Sequence, residues 1–206
     1  MRVLQVVKQA VIHYYEEMLP LVGASIITWL LCLPVVTAPP VLAGLYHMTF
    51  PIVIEKRYEF SLLWEGFREY FWASWRLAGA VVVITIVLVS NAWFYGVYMA
   101  QGAEWLRWVG IAWAAVLVWW LAAQLYMFPL LVRLEVCRVR DVLKNAVLLV
   151  FVDPVLTFSL MVLLVLFILV SLALPILLIA LPGLGALIGH HALSSVMEQV
   201  RRKTKT

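Results

Sequence analysis

Charged and apolar positions divide this chain into long blocks. Four stretches contain no Asp, Glu, Lys or Arg: residues 18–54, 77–103, 108–132 and 154–197. A helix crossing about 30 Å of hydrocarbon needs about 20 apolar residues. The second and third stretches therefore predict one span each. The fourth, 44 residues long, predicts two spans joined by a tight turn at Leu174-Pro175. The first, of 37 residues, is too long for one straight helix and too short for two full ones.

The segments between these blocks are amphipathic. Leu4, Val7, Val11, Tyr14 and Met18 recur at heptad-like spacing, which predicts a helix lying along a membrane face or against the bundle. Arg2, Lys8, Glu16 and Glu17 interrupt the pattern that a secretory signal requires. Residues 61–76 alternate Trp64, Phe67, Tyr70, Phe71, Trp72 and Trp75 with Glu65, Arg68, Glu69 and Arg76. That pattern suits a headgroup-level helix, or a docking surface for another protein, because interfaces enrich aromatics and arginine. Trp64, Phe67, Arg68 and Phe71 are the docking candidates.

Prolines complicate the first block. Pro34, Pro39 and Pro40 remove helical donors and push the residues before them toward extended geometry. A helix break over residues 35–38 is expected, joining two half-helices within one broken span. Broken helices mark substrate sites in some transporters. A re-entrant hairpin is the alternative to a broken span.

The chain also echoes itself. "LAGLYHMTFPIVI" at residues 42–54 resembles "LAAQLYMFPLLV" at residues 121–132. Each precedes a charged segment and a helix-start residue, Ser61 or Asp141. A span–interfacial helix–span unit used twice, with a fifth span added, is the organisation this implies. The expected fold is thus an all-α integral membrane helical bundle of about five spans. Its parts are an amphipathic helix at 1–18, a broken span at 19–54, an interfacial helix at 61–76, spans at 77–100 and 106–132, a second interfacial helix at 141–152, spans at 154–173 and 176–197, and a basic tail at 198–206.

Composition agrees: 66% of residues are hydrophobic and 13% charged, against about a quarter charged in soluble domains. The formal charge of +4 then speaks to sidedness rather than to nucleic acid. With five spans, twelve basic residues fall on one face and three (Arg2, Lys8 and Arg107) on the other. Positive charge collects on the cytoplasmic side, so the N-terminus is expected outside and the C-terminus inside a cell membrane. Six spans, with the N-terminus inside, is the competing count. Cys32 and Cys137 suit structural thiols.

Ionisable groups within apolar stretches are candidates for function. His47, His190 and His191 sit at similar distances from the ends of their spans and form a candidate polar or metal cluster, although adjacent histidines diverge by about 100° on a helix. Asp153 before Pro154 is a candidate polar site and, more simply, a helix cap. Gly185 and Gly189 form GxxxG, which permits close helix approach within one chain or between two. No phosphate loop, HExxH or GxSxG occurs, so neither an enzyme nor a cofactor is expected.

At "WLLCLPVVTAPPVLAGLY" and "FSLLWEGFREYFWASWRL" the chain resembles the YesL-like family of bacterial multi-pass membrane proteins. Leu33 to Thr37 match its Leu-Pro-Val-Val-Thr segment, and Leu45-Tyr46, Phe67-Arg68 and Phe71 match as well. Ala38-Pro39-Pro40 departs from Gly-Pro-Ala, and Tyr70 stands where Asn is usual. The match covers residues 29–77. It implies a bacterial membrane location and a link to carbohydrate uptake, and it carries no catalytic residues. The expected function is a non-enzymatic accessory protein bound to a membrane transport complex through its cytoplasmic face. A small transporter or channel with its site at the broken first stretch is the alternative.

Overall fold

A computed structural model describes residues 2–54, 59–98, 104–134 and 138–204. Its described residues form helices α1 (Arg2–Glu16), α2 (Met18–Cys32), α3 (Ala38–Val53), α4 (Ser61–Glu69), α5 (Phe71–Trp93), α6 (Glu104–Arg133), α7 (Val139–Val152), α8 (Pro154–Ala173) and α9 (Pro175–Thr204). A π-helical turn, Phe94–Tyr98, extends α5. The architecture is an all-α bundle. Among the described residues, four helices are long and apolar enough to cross a membrane: Phe71–Val97, Trp108–Arg133, Pro154–Ala173 and Leu177–Arg201. The number rises to five if α1 and α2, bent by 95°, count as one span.

The proline segment interrupts the helix as its chemistry requires. Pro34 has no N–H for the Leu30 carbonyl, so Leu33 N donates to it instead, at 3.3 Å. Helix resumes at Ala38 with Pro39 and Pro40 in its first turn, where a missing donor costs nothing. Thr37 Oγ1 donates within this turn to the carbonyls of Leu31 and Pro34. Trp75 Nε1 donates to Val36 O at 3.0 Å. Backbone that cannot bond within a helix is thereby supplied with partners, a requirement in an apolar layer.

The two half-helices do not continue each other. On α2, Ser25 lies at Gly183 of α9, and Trp29 lies further back, at Leu178. On α3, Leu45 shares a core cluster with Ala186, Tyr46 lies at Gly189 and His190, and Phe50 lies at His190. Thus α2 runs against α9 and α3 runs with it. The chain reverses at residues 33–37, the re-entrant alternative to a span that passes through. One consequence concerns α1. The five-span reading put residues 1–18 at the end opposite the basic tail. The reversal brings α1 back beside the C-terminal part of α9, with His13 at His191.

Other boundaries also differ from those expected. The expected helix at 61–76 divides at Tyr70, and Phe71 opens the long α5. Ser61 does not cap α4: the cap position is Phe60, and the Ser61 hydroxyl donates to Glu59 Oε2 at 3.2 Å. Asp141 lies inside the first turn of α7, whose cap position is Arg138. Helix α9 continues through residue 204, into the expected tail. Cys137 lies outside the described residues.

The two copies of the repeated unit keep the same order, α3–α4–α5 and α6–α7–α8. Each short helix packs on the helix before it. Between helices in lipid, apolar burial supplies little drive, and small residues that permit close approach do more. Here a Cβ on Gly44 would stand 2.4 Å from the Leu63 carbonyl, and one on Gly66 2.5 Å from His47 Cβ. At the other end of α5, a Cβ on Gly110 would meet Gly96 at 2.7 Å. Ala10, Ala24, Ala43, Ala122, Ala123, Ala146, Ala186 and Ala192 are buried as well. Outward-facing Val82, Val83, Ile86 and Val87 on α5, with Val162, Leu166 and Leu169 on α8, are exposed. An apolar exterior of this kind is compatible with a membrane location.

Candidate functional site

Two features concentrate side-chain chemistry. The first is an aromatic row along α4 and the start of α5. Helix α4 turns Leu63 and Gly66 inward to α3, which leaves Trp64, Glu65 and Arg68 outside. Trp64 and Phe67 stack with ring centroids 5.0 Å apart. Phe67 meets Phe71 edge-on at 5.8 Å, and Phe71 meets Trp72 at 5.5 Å. The Arg68 guanidinium lies 5.4 Å over the Trp64 ring. Trp64 is 46% exposed and Trp72 70%. The four residues expected at a docking surface are thus assembled into one row, continued by Trp72 because the chain bends at Tyr70.

The second feature is a polar junction where α1, α3, α6 and α9 meet. Arg133, the last residue of α6, donates through one Nη to Ser194 Oγ at 2.6 Å and to His190 O at 3.4 Å. Its other Nη lies 3.9 Å from Met197 Sδ, and its guanidinium stands 5.0 Å from the Phe50 ring centre. Its Nε is buried without a partner. His190 is fully buried, and its Nε2 donates to Tyr46 O at 2.8 Å. A carbonyl can only accept, so the proton sits on Nε2. His191 points elsewhere: its Nε2 lies 3.2 Å from His13 Nδ1. One of these rings donates and the other accepts.

The expected histidine cluster therefore separates. His190 and His191 diverge as successive helical residues must. His47 belongs to the α3–α4 crossing, beneath Gly66, with its ring 5.6 Å from that of Tyr70. Among the described residues, no group of three or more His, Cys, Asp or Glu could hold a metal. Asp153 is a cap: its Oδ1 accepts from Leu156 N at 3.1 Å. Gly189 is consumed inside the chain, where a Cβ would stand 3.1 Å from both Pro129 and Tyr46. That removes half of the expected GxxxG contact from use by a second copy. Gly185 has open space around it.

Sequence reasoning missed His13 and Arg133. His13 stands on the polar side of an amphipathic helix, and only the return of α1 to α9 gives it a partner. Arg133 looks like any cation that ends a span. The signal that was present is its position, since a guanidinium in the last turn of a helix between apolar neighbours must find acceptors nearby.

The fold is an all-α bundle whose long apolar helices are compatible with a membrane location. No family model matches the chain, and neither a curated protein nor a solved structure shows significant similarity to it.

Proposed function

We propose that this protein is a non-enzymatic accessory component of a bacterial cell membrane that binds a transport complex through the aromatic row of α4 and α5. The observation that carries this reading is the contiguous aromatic row Trp64–Phe67–Phe71–Trp72, exposed at Trp64 and Trp72, with Arg68 seated on it. Rigid aromatics and arginine are the residues that most often anchor interfaces. The row lies toward the end of the bundle that carries nearly all the basic residues. Among the described residues, Arg107 alone of the Lys and Arg belongs to the opposite end. Positive charge favours the cytoplasm, so this end faces inward in our reading. The resemblance of residues 29–77 to the YesL-like family is the ground for assigning the partner to carbohydrate uptake.

The test is retention of a co-purified partner from native membranes. Replacing Trp64, Phe67 and Phe71 together by alanine should release the partner while the protein stays inserted and folded. Undiminished association of the triple variant would overturn the reading. A second reading, a small transporter or channel, is favoured by the α2–α3 reversal, because non-helical backbone at membrane depth lines cavities in transporters. Solute flux into liposomes containing this protein alone would support it over the first.

A further inference from the structure

A groove of about 480 Å³ opens between α6, α7 and α9, a volume typical of small-molecule sites. Leu130, Leu134, Leu149 and Val152 line its apolar part, and Asn145 and the exposed Arg201 give it a polar mouth. Along α9 the wall passes from Met197 and Val200 to the Arg201 guanidinium, and α7 contributes the Asn145 carboxamide. Leu148 and Met197 at its edges are exposed, so the groove is open to whatever surrounds the bundle. Next to it, Arg133 reaches Met197, α7 begins with Arg138, Arg140 and Asp141, and Glu198 precedes Arg201 on α9, so that four guanidinium groups stand against two carboxylates. The surroundings of the mouth are therefore net basic.

We infer that this groove binds one anionic phospholipid, with an acyl chain against Leu130, Leu149 and Val152 and the phosphate at Arg201 and Asn145. The apolar interior fits the chain of any lipid. The cationic mouth selects the headgroup, since basic pockets between membrane helices recognise anionic lipids. Arginine suits the phosphate through paired donors, and the Asn145 carboxamide adds a neutral one. A free phosphate ion would use the mouth and leave the apolar interior unfilled. A zwitterionic lipid would fill the interior and gain less at the mouth. The inference does not depend on the transport partner proposed above.

The experiment is thermal unfolding of the detergent-purified protein titrated with phosphatidylglycerol, phosphatidylcholine or inorganic phosphate. Phosphatidylglycerol should raise the midpoint saturably, and the other two should raise it much less. Arg201→Glu should weaken the phosphatidylglycerol response at least tenfold while leaving the phosphatidylcholine response unchanged. Arg201→Gln is the milder variant should the charge reversal impair folding, with a smaller loss in the same direction. Leu149→Trp, which fills the interior, should reduce the response to both lipids. Equal stabilisation by the two lipids, an equal effect of phosphate alone, or an undiminished phosphatidylglycerol response in both Arg201 variants would overturn the assignment.

Discussion

The α3 and α6 helices carry the same local text and reach different ends. Both contain tyrosine followed shortly by Phe-Pro, at Tyr46 and Phe50-Pro51 and at Tyr126 and Phe128-Pro129. Both are followed by a short helix that folds back onto them, and the two meet through stacked Tyr46 and Phe128 rings, 5.6 Å apart. Yet α6 is 30 residues long and crosses the bundle, while α3 is 16 residues long and begins at a reversal. The difference lies upstream. Before Leu121 the α6 helix extends through an unbroken apolar run that includes Val116 and Val118. Before Leu42 stand Pro39, Pro40 and Pro34. The shared part encodes how the helix ends. The unshared part decides whether it spans.

Sidedness is the largest effect by which this comparison can be broken. In the reversed arrangement, single cysteines at Lys8 and Arg201 should label from one side of the membrane, and a cysteine at Val97 from the other. Lys8→Cys labelling with Val97→Cys would mean that α2 and α3 pass through as one broken span, making them equivalent to α6.

Next comes the contact of each helix with its short partner. Gly44→Leu should destabilise by about 3 kcal/mol or more, because its side chain would overlap the Leu63 carbonyl, a backbone atom that cannot move aside alone. Ala123, near the corresponding place in α6, is also fully buried. Ala123→Gly should cost only about 1 kcal/mol, the propensity difference within a helix. Chemical denaturation in matched detergent would measure both. Equal costs would show that the two crossings are packed alike.

A smaller difference separates the tyrosines. Tyr126 shares a 2.7 Å hydrogen bond with Thr157 in the buried interior, so Tyr126→Phe should cost about 1 kcal/mol. Tyr46 contributes mainly its ring and its backbone carbonyl, which His190 uses. Tyr46→Phe should therefore be nearly silent in the same unfolding assay. A larger loss at Tyr46 would reveal a role for its hydroxyl.

The smallest predicted effect concerns a proline in α9. Pro182 has no N–H for the Leu178 carbonyl four residues earlier, and Trp29 Nε1 supplies the missing donor at 2.7 Å. Trp29→Phe should lower stability by about 1 kcal/mol, the net worth of such a bond. In a Pro182→Ala background the helix would satisfy its own carbonyl, and the cost of Trp29→Phe should fall toward zero.

Much of this protein could be read along the chain because its signals are local. Charge-free length announced the helices of the bundle, since about 1.5 Å of rise per residue must match the thickness of hydrocarbon. Pro34, Pro39 and Pro40 announced a break through their missing donors and fixed angles. Asp153 before Pro154 announced a helix start. The aromatic density of residues 64–72 announced a shared surface, without its bend at Tyr70. Those inferences depend only on neighbours in sequence.

What only tertiary structure decided was direction and company. A proline pair states that a helix stops, and it does not state whether the next helix goes on or comes back. That choice rests on α9, where Ser25, Trp29, Leu45 and Phe50 find partners at heights that fit only antiparallel halves. His13 gains His191, and His47 loses both other histidines, because residues far apart in sequence meet according to helix packing. Hydropathy records how much a residue avoids water. It is silent on which of several equally apolar surfaces the residue will lie against, and in a bundle of this composition those surfaces differ chiefly in shape.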